Sequence, residues 1–191
     1  MPNKIRRVFV EKKATFKVEA DHLLSDITHN LNITAVKDVR IINCYECLGF
    51  DDATFDLAKA NVFSEPNTDN VYEDTALFTG ADFVFRMGLL PGQYDQRADS
   101  AMQCVQLLTA GERPLIRASK VIAINGDLSD AEKEKIKTHL INVVESCELD
   151  LALPETIEMD AVVPDDVMVF DGFTDFTEAE LSAFKDAEGF A

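Results

Sequence analysis

The chain has 191 residues, of which 47% are hydrophobic and 28% charged, so it can bury a core without disulfides or a structural metal. No segment approaches the roughly 20 apolar residues of a membrane span, and the amino terminus lacks the apolar run of a secretory signal, which predicts a cytoplasmic protein with no membrane partner. The net charge of -17 argues against nucleic acid as a partner. Residues 151–191 carry one basic and eleven acidic groups, and we expect them to form an acidic extension outside the core.

The first half predicts the order strand, helix, strand, helix. Residues 5–10 are rich in β-branched side chains and predict a strand, as do residues 39–45. Between them, apolar residues recur at helical spacing, which predicts one buried stripe formed by Leu23, Leu24, Ile27 and Leu31. After the second strand, Asp51 or Asp52 can cap a helix with Phe55 and Ala58 on its inner face.

The same order returns in the second half. Residues 83–87 and 116–124 predict strands, and the apolar spacing over residues 98–108 predicts a helix between them. Ser129 and Glu132 form a capping box that begins the next helix. A shift of 78 places Asp51 on Ser129 and Ala58 on Ile136, which indicates an internal duplication, although two ordinary α/β units can coincide by chance.

These elements predict an α+β fold. We expect residues 1–150 to form two ferredoxin-like repeats, at about 1–75 and 80–150, with antiparallel sheets and the helices outside. Because a sheet with helices on one face leaves the other uncovered, the two sheets are expected to cover each other as a pseudo-dimer. Within residues 151–191, the pattern predicts an edge strand over 166–170 and a short helix from Thr177.

Cysteine and histidine give no convincing reaction centre. Cys44 and Cys47 have the spacing of a zinc or redox motif, but the sequence offers neither four zinc ligands nor a helix amino terminus beside the pair. We therefore expect ordinary, partly buried thiols and no metal site. The three histidines lie on predicted helices without a convergent nucleophile or carboxylate, which favours surface positions.

One segment differs from generic scaffold. Pro91 and Gly92 predict a turn, after which Gln93, Tyr94, Asp95, Gln96 and Arg97 enter a helix. The first amides of that helix, with Arg97 nearby, can hold an anion or position a neighbouring loop. The glutamines suit a polar contact between domains or a wet passage for a small neutral molecule, and a solvated helix face is the alternative.

The run PGQYDQRADSAMQCVQLLTAGERP (residues 91–114), with RRVFVEKK near the start and VFSEPNTDNVY in the middle, resembles the amino-terminal region of large single-chain phosphoribosylformylglycinamidine synthases of the PurL type. That resemblance covers nearly all of the chain. It implies two fused copies of the small PurS subunit, followed in full-length members by a helical linker, a synthetase region and a glutaminase. The family makes formylglycinamidine ribonucleotide, in purine biosynthesis, from formylglycinamide ribonucleotide, ATP and glutamine.

The resemblance implies a supporting role without catalytic residues in this chain. It assigns the chain no cofactor, since ATP and magnesium belong to the implied full-length enzyme. Its partners would be the synthetase and glutaminase regions of the same polypeptide, between which ammonia must pass, and the five residues from Gln93 to Arg97 are expected to face the synthetase. Exposed apolar surface would also let the fragment self-associate. The alternatives are a free-standing ferredoxin-like regulatory module that binds a small metabolite and a complete small enzyme.

Overall fold

The computed structural model describes residues 4–158, 166–167, 169–170 and 172–189. The fold is α+β, and its described strands form one antiparallel sheet in the order β3-β1-β2-β5-β4-β6. The strands are β1 (Ile5–Lys12), β2 (Val36–Leu48), β3 (Asp69–Tyr72), β4 (Phe83–Leu89), β5 (Leu115–Gly126) and β6 (Ser146–Leu149). The helices are α1 (Val18–His29), α2 (Asp52–Ala58), α3 (Gln96–Thr109), α4 (Asp130–Leu140) and α5 (Glu178–Glu188), and a π-helical turn, Lys59–Phe63, extends α2.

The sheet is built from two copies of the unit strand-helix-strand-helix-strand. The strand order is palindromic, because β1, β2 and β3 occupy the places that β4, β5 and β6 occupy on the other side of the β2–β5 junction. A pseudo-twofold axis therefore passes between β2 and β5, close to the pair Asn43 and Lys120. The third strand of each unit, β3 and β6, is short and was not expected from the sequence.

The strand pairings of the first repeat recur 77 residues later in the second repeat, whereas the helix positions recur 78 residues later. Val8 pairs with Tyr45, and 77 positions later Phe85 pairs with Ile122. The amino-terminal caps of α2 and α4, Asp51 and Ser129, differ by 78, in agreement with the shift inferred from the sequence. The second repeat therefore has one residue more than the first between equivalent strand positions and the helix that follows.

The two repeats join edge to edge in one sheet, so the expectation of two sheets covering each other was wrong. β2 and β5 pair along nearly their whole lengths, from Val36 opposite Gly126 to Leu48 opposite Leu115. This pairing satisfies the backbone groups on the inner edge of both repeats, which two separate sheets would leave open.

The helices α1 to α4 cover one face of the sheet. Ile27 of α1 and Ile136 of α4 pack over one half, and Phe55 of α2 and Val105 of α3 pack over the other. Each of these four side chains is almost fully buried. The helices thus lie on one side of a shared sheet, with two helices over each half.

Two irregular segments of the chain cover the opposite face. Phe78, from a short 3-10 turn after β3, packs edge-on against Phe9 with ring centroids 5.3 Å apart. After β6, Leu151 packs against the same core cluster and Ile157 is 1% exposed. Residues 150–157, called the strap below, therefore contribute Leu151 and Ile157 to the core, although the acidic composition led us to expect residues from 151 onward outside it.

Contacts divide the chain into two compact units, Met1–Met159 and Asp160–Ala191. In the second unit, α5 begins after Thr177 with the expected capping box to Glu180. Phe184 of that helix packs against Phe170 and Phe173. Of the expected strand over 166–170, residue 168 lies outside the described residues and the other four do not form a strand.

Candidate functional site

The sheet splits at one end, and the split opens a cleft. β4 pairs with β5 only as far as Met87 opposite Lys120, whereas β5 continues to Leu115 beside β2. The space between residues 89–90 on one side and residues 115–118 on the other is called the β4–β5 cleft below. It has a volume of about 360 Å³, and Ile157 of the strap lines it.

Asp95 links the two sides of the split. Its Oδ1 accepts a hydrogen bond of 2.9 Å from the backbone N–H of Ala98, which caps α3. Its Oδ2 accepts one of 3.2 Å from the backbone N–H of Ala118 on β5. An N–H that lost its strand partner is thereby satisfied by a side chain. The first amides of α3, for which the sequence allowed an anion or a neighbouring loop, are thus capped by a carboxylate of the chain itself.

The five residues singled out in the sequence do not form one site. Gln93, Tyr94 and Asp95 line the cleft, where Tyr94 donates to Asp99 at 2.9 Å and this hydrogen bond raises the pKa of Tyr94. Gln96 and Arg97 lie on a different surface of α3, both exposed to solvent. There Arg97 donates to the hydroxyl of Tyr45 at 3.2 Å.

A buried ionic network lies on the strap side of the sheet. Glu46 of β2 accepts from Arg7 of β1 through Oε1, with Nε at 3.0 Å, and forms an ion pair with Arg86 of β4 through Oε2 at 2.7 Å. The three side chains are between 3% and 7% exposed. Arg86 also donates through Nε to the hydroxyl of Ser119 at 2.9 Å. Two cations share one anion, so the network carries a net positive charge.

Backbone carbonyls of the strap accept further hydrogen bonds from the two arginines of this network. Arg7 donates to the carbonyls of Leu151 and Ala152 at 2.6 and 2.7 Å, and Arg86 donates to that of Asp150 at 3.0 Å. Hydrogen bonds from buried charged donors are among the stronger ones in proteins, so these bonds hold the strap against the sheet. The only sequence signal was the position of these charged residues, with Arg7 and Arg86 inside predicted apolar strands and Glu46 directly after one.

The cysteine pair is part of the sheet interior. Cys44 and Cys47 are both completely buried, and burial raises the pKa of each thiol, which keeps it protonated. They lie on opposite faces of β2, since residues an odd number apart on a strand point in opposite directions. The pair therefore cannot chelate a metal or form a disulfide in this conformation.

Within the described residues, no group of three or more His, Cys, Asp or Glu side chains is arranged to hold a metal ion. In the same part of the chain, none of the helices is both long and apolar enough to cross a membrane. Neither the protein-family models nor the curated proteins contain a match to the chain.

Proposed function

We propose that the chain is the PurS-like amino-terminal region of a phosphoribosylformylglycinamidine synthase and acts there as a structural and channelling domain. The reaction of the family would take place in the synthetase and glutaminase regions, with ATP and magnesium bound there. This chain would pack between those regions and help ammonia pass from one to the other. Enclosure matters because ammonia released into water at neutral pH is mostly protonated and is then no longer a nucleophile.

The observation that carries the proposal is the position of the segment most similar to the family. That segment forms the turn before α3 and the whole of α3, and its residues Gln93, Tyr94, Gln96 and Arg97 are all exposed. Gln93 donates to the carbonyl of Val144, which is itself 74% exposed. A polar and apolar surface of this kind supports contact with a neighbouring domain.

The internal duplication gives further support, since the family resemblance implies two fused copies of one small subunit. The palindromic strand order and the repeated register are the features expected of such a fusion. They support a duplicated scaffold in general and leave the identity of the family as a proposal.

The first experiment is to sequence the gene beyond Ala191. The proposal predicts a reading frame that continues into a linker, a synthetase and a glutaminase. A stop codon directly after Ala191 would instead favour a free-standing regulatory module, for which the β4–β5 cleft provides a metabolite-sized cavity. The 191-residue chain alone is expected to hydrolyse neither ATP nor glutamine.

The second experiment uses the full-length protein that such a reading frame encodes. Replacing Gln96 and Arg97 with Ala should lower glutamine-dependent turnover and uncouple glutamine hydrolysis from synthesis, while turnover with added ammonia is retained. Lys37→Ala is the control, because Lys37 is exposed on β2 away from this surface. Unchanged glutamine-dependent turnover and coupling in the double variant would reject the assigned interface.

A further inference from the structure

One ion pair of the first repeat is missing from the second, and the arginine that has lost its partner lines the β4–β5 cleft. In the first repeat, Arg40 of β2 forms a two-pronged ion pair with Glu11 of β1, at 2.7 Å for each bond. At the strand shift of 77, Arg40 corresponds to Arg117 and Glu11 corresponds to Gly88. The second repeat has therefore kept the arginine and lost its carboxylate.

The guanidinium of Arg117 has no partner among the described residues as a result. Arg117 pairs with Glu46 through the β2–β5 ladder, lines the cleft and is only partly exposed, but its side chain forms no hydrogen bond or ion pair with any residue that the structure describes. A Cβ at Gly88 would lie 2.5 Å from Cδ1 of Leu149, so a glutamate there would require the Leu149 side chain to move. Leu149 thus closes the side from which Glu11 reaches Arg40 in the first repeat.

The carboxylates that line the cleft have other partners. Glu46 is held by Arg7 and Arg86, and the two oxygens of Asp95 accept backbone N–H groups. Asp99 accepts from Tyr94, Gln103 and Arg113 at the rim. The guanidinium of Arg117 forms no ion pair within the described chain, although it lies at the same cleft as these carboxylates, and a partly buried cation without a direct ion-pair partner favours an anionic ligand.

The rest of the cleft is apolar and of ligand size. Its walls include Leu90, Met102, Ile116, Leu149 and Ile157. A cavity of about 360 Å³ falls in the lower range of small-molecule sites, which combine apolar walls with a few polar groups that fix the ligand's orientation. One guanidinium without an ion-pair partner suits a single carboxylate group, and the apolar walls suit a compact apolar body.

We propose that the β4–β5 cleft binds a small organic monocarboxylate, with its carboxylate on Arg117 and its apolar part against the strap and α3. The ligand carboxylate takes the role toward Arg117 that Glu11 has toward Arg40. The proposal does not depend on the chain belonging to a synthase, because the cleft lies within the Met1–Met159 unit.

The test measures binding of 4-phenylbutyrate to the 191-residue chain by titration calorimetry, with amide chemical-shift changes to locate it. We expect 4-phenylbutyrate to bind, and its neutral amide to bind at least about tenfold more weakly. Arg117→Gln should weaken 4-phenylbutyrate binding by a similar factor. Arg6→Gln removes the same charge from β1 outside the cleft and should leave the affinity within about twofold. Thermal unfolding of each variant verifies that it is folded.

Three results would overturn the proposal. The first is no binding of 4-phenylbutyrate up to about 10 mM, since weaker sites are of no use at metabolite concentrations. The second is equal affinity in folded Arg117→Gln. The third is equal binding of inorganic phosphate and 4-phenylbutyrate, because the apolar walls would then contribute nothing. Shift changes confined to Gly88, Leu90 and the β5 residues 115–118 would support the assigned position.

Discussion

Glu46 balances two buried guanidinium groups, so its charge should matter more than that of any surface carboxylate. Glu46→Gln keeps the size of the side chain but leaves Arg7 and Arg86 buried without an anion. Loss of one partner from a buried ion pair costs about 3–5 kcal/mol. Glu19→Gln is the control, because Glu19 is 63% exposed and pairs with Lys120 alone among the described residues, which predicts a loss below about 1 kcal/mol. Urea unfolding measures both, and equal losses would contradict a special role for the buried carboxylate.

The four cysteines should differ in how fast they are alkylated. Cys104 is exposed and Cys147 partly exposed, whereas Cys44 and Cys47 are buried with raised pKa values. Because the thiolate is the reactive form, a raised pKa and burial both slow alkylation at pH 8. We expect iodoacetamide to modify Cys104 first in the folded chain, and Cys44 and Cys47 only in urea. Peptide mass spectrometry identifies the sites, and early labelling of Cys47 would show that β2 is accessible.

Single residues were the hardest features to assign from the sequence. The segment around Asp95 was recognised as unusual, but its bond to Ala118 depends on where β4 leaves β5. The ionic network joins residues 39 and 40 positions apart, and that contact exists only in the observed strand register. Charged residues inside apolar strands were visible in the sequence, but nothing there specified their partners.

At the scale of secondary-structure elements, the side chain of Asp95 accepts hydrogen bonds from both α3 and β5. Asp95→Ala removes the cap of α3 and also leaves the N–H of Ala118 without its acceptor. A lost cap costs about 1 kcal/mol and an unsatisfied buried donor about 1–3 kcal/mol, so we expect a loss of about 2–4 kcal/mol. Ser129→Ala removes only the cap of α4 and should cost about 1 kcal/mol. Urea unfolding compares the two, and similar losses would show that the bond to Ala118 contributes little.

Helices were predicted better than strands. The sequence shift of 78 holds for the helices, where Ala20 and Ala98 are both buried, as are Ile27 and Val105. For the strands the same shift is wrong by one residue, which exchanges the two faces of the sheet. Both faces of the central strands are covered and hold apolar core clusters, so alternation could not reveal the error.

At the scale of the molecule, the same apolar pattern is compatible with two assemblies of the repeats. Sheets that pack face to face and sheets that join at their edges both bury the strands, and the sequence favoured the first. The structure has the second, because the strap and the segment around Phe78 cover the open face in place of another sheet. Neither segment has a regular hydrophobic period, so neither was predicted to be part of the core.

We therefore expect the sheet unit to fold only when the chain extends through the strap. A fragment of residues 1–159 retains the strap, whereas a fragment of residues 1–149 loses Ile157, Leu151 and the carbonyls that accept from Arg7 and Arg86. Burial of Ile157 is worth roughly 1.5–3 kcal/mol, and each hydrogen bond to a charged donor about 1.5–3 kcal/mol. The summed loss of at least about 5 kcal/mol is comparable to the total stability of a typical domain, so the shorter fragment should be largely unfolded.

Circular dichroism and thermal unfolding compare the two fragments. We expect a cooperative transition for residues 1–159 and none for residues 1–149. Ile157→Ala in the longer fragment gives a graded measure, with an expected loss of about 2–5 kcal/mol because the side chain is fully buried. If residues 1–149 unfold with the same midpoint as residues 1–159, the network on this face is stable without the strap carbonyls. Arg7 and Arg86 would then have to satisfy their free donors with water, which requires that side of the sheet to be open to solvent.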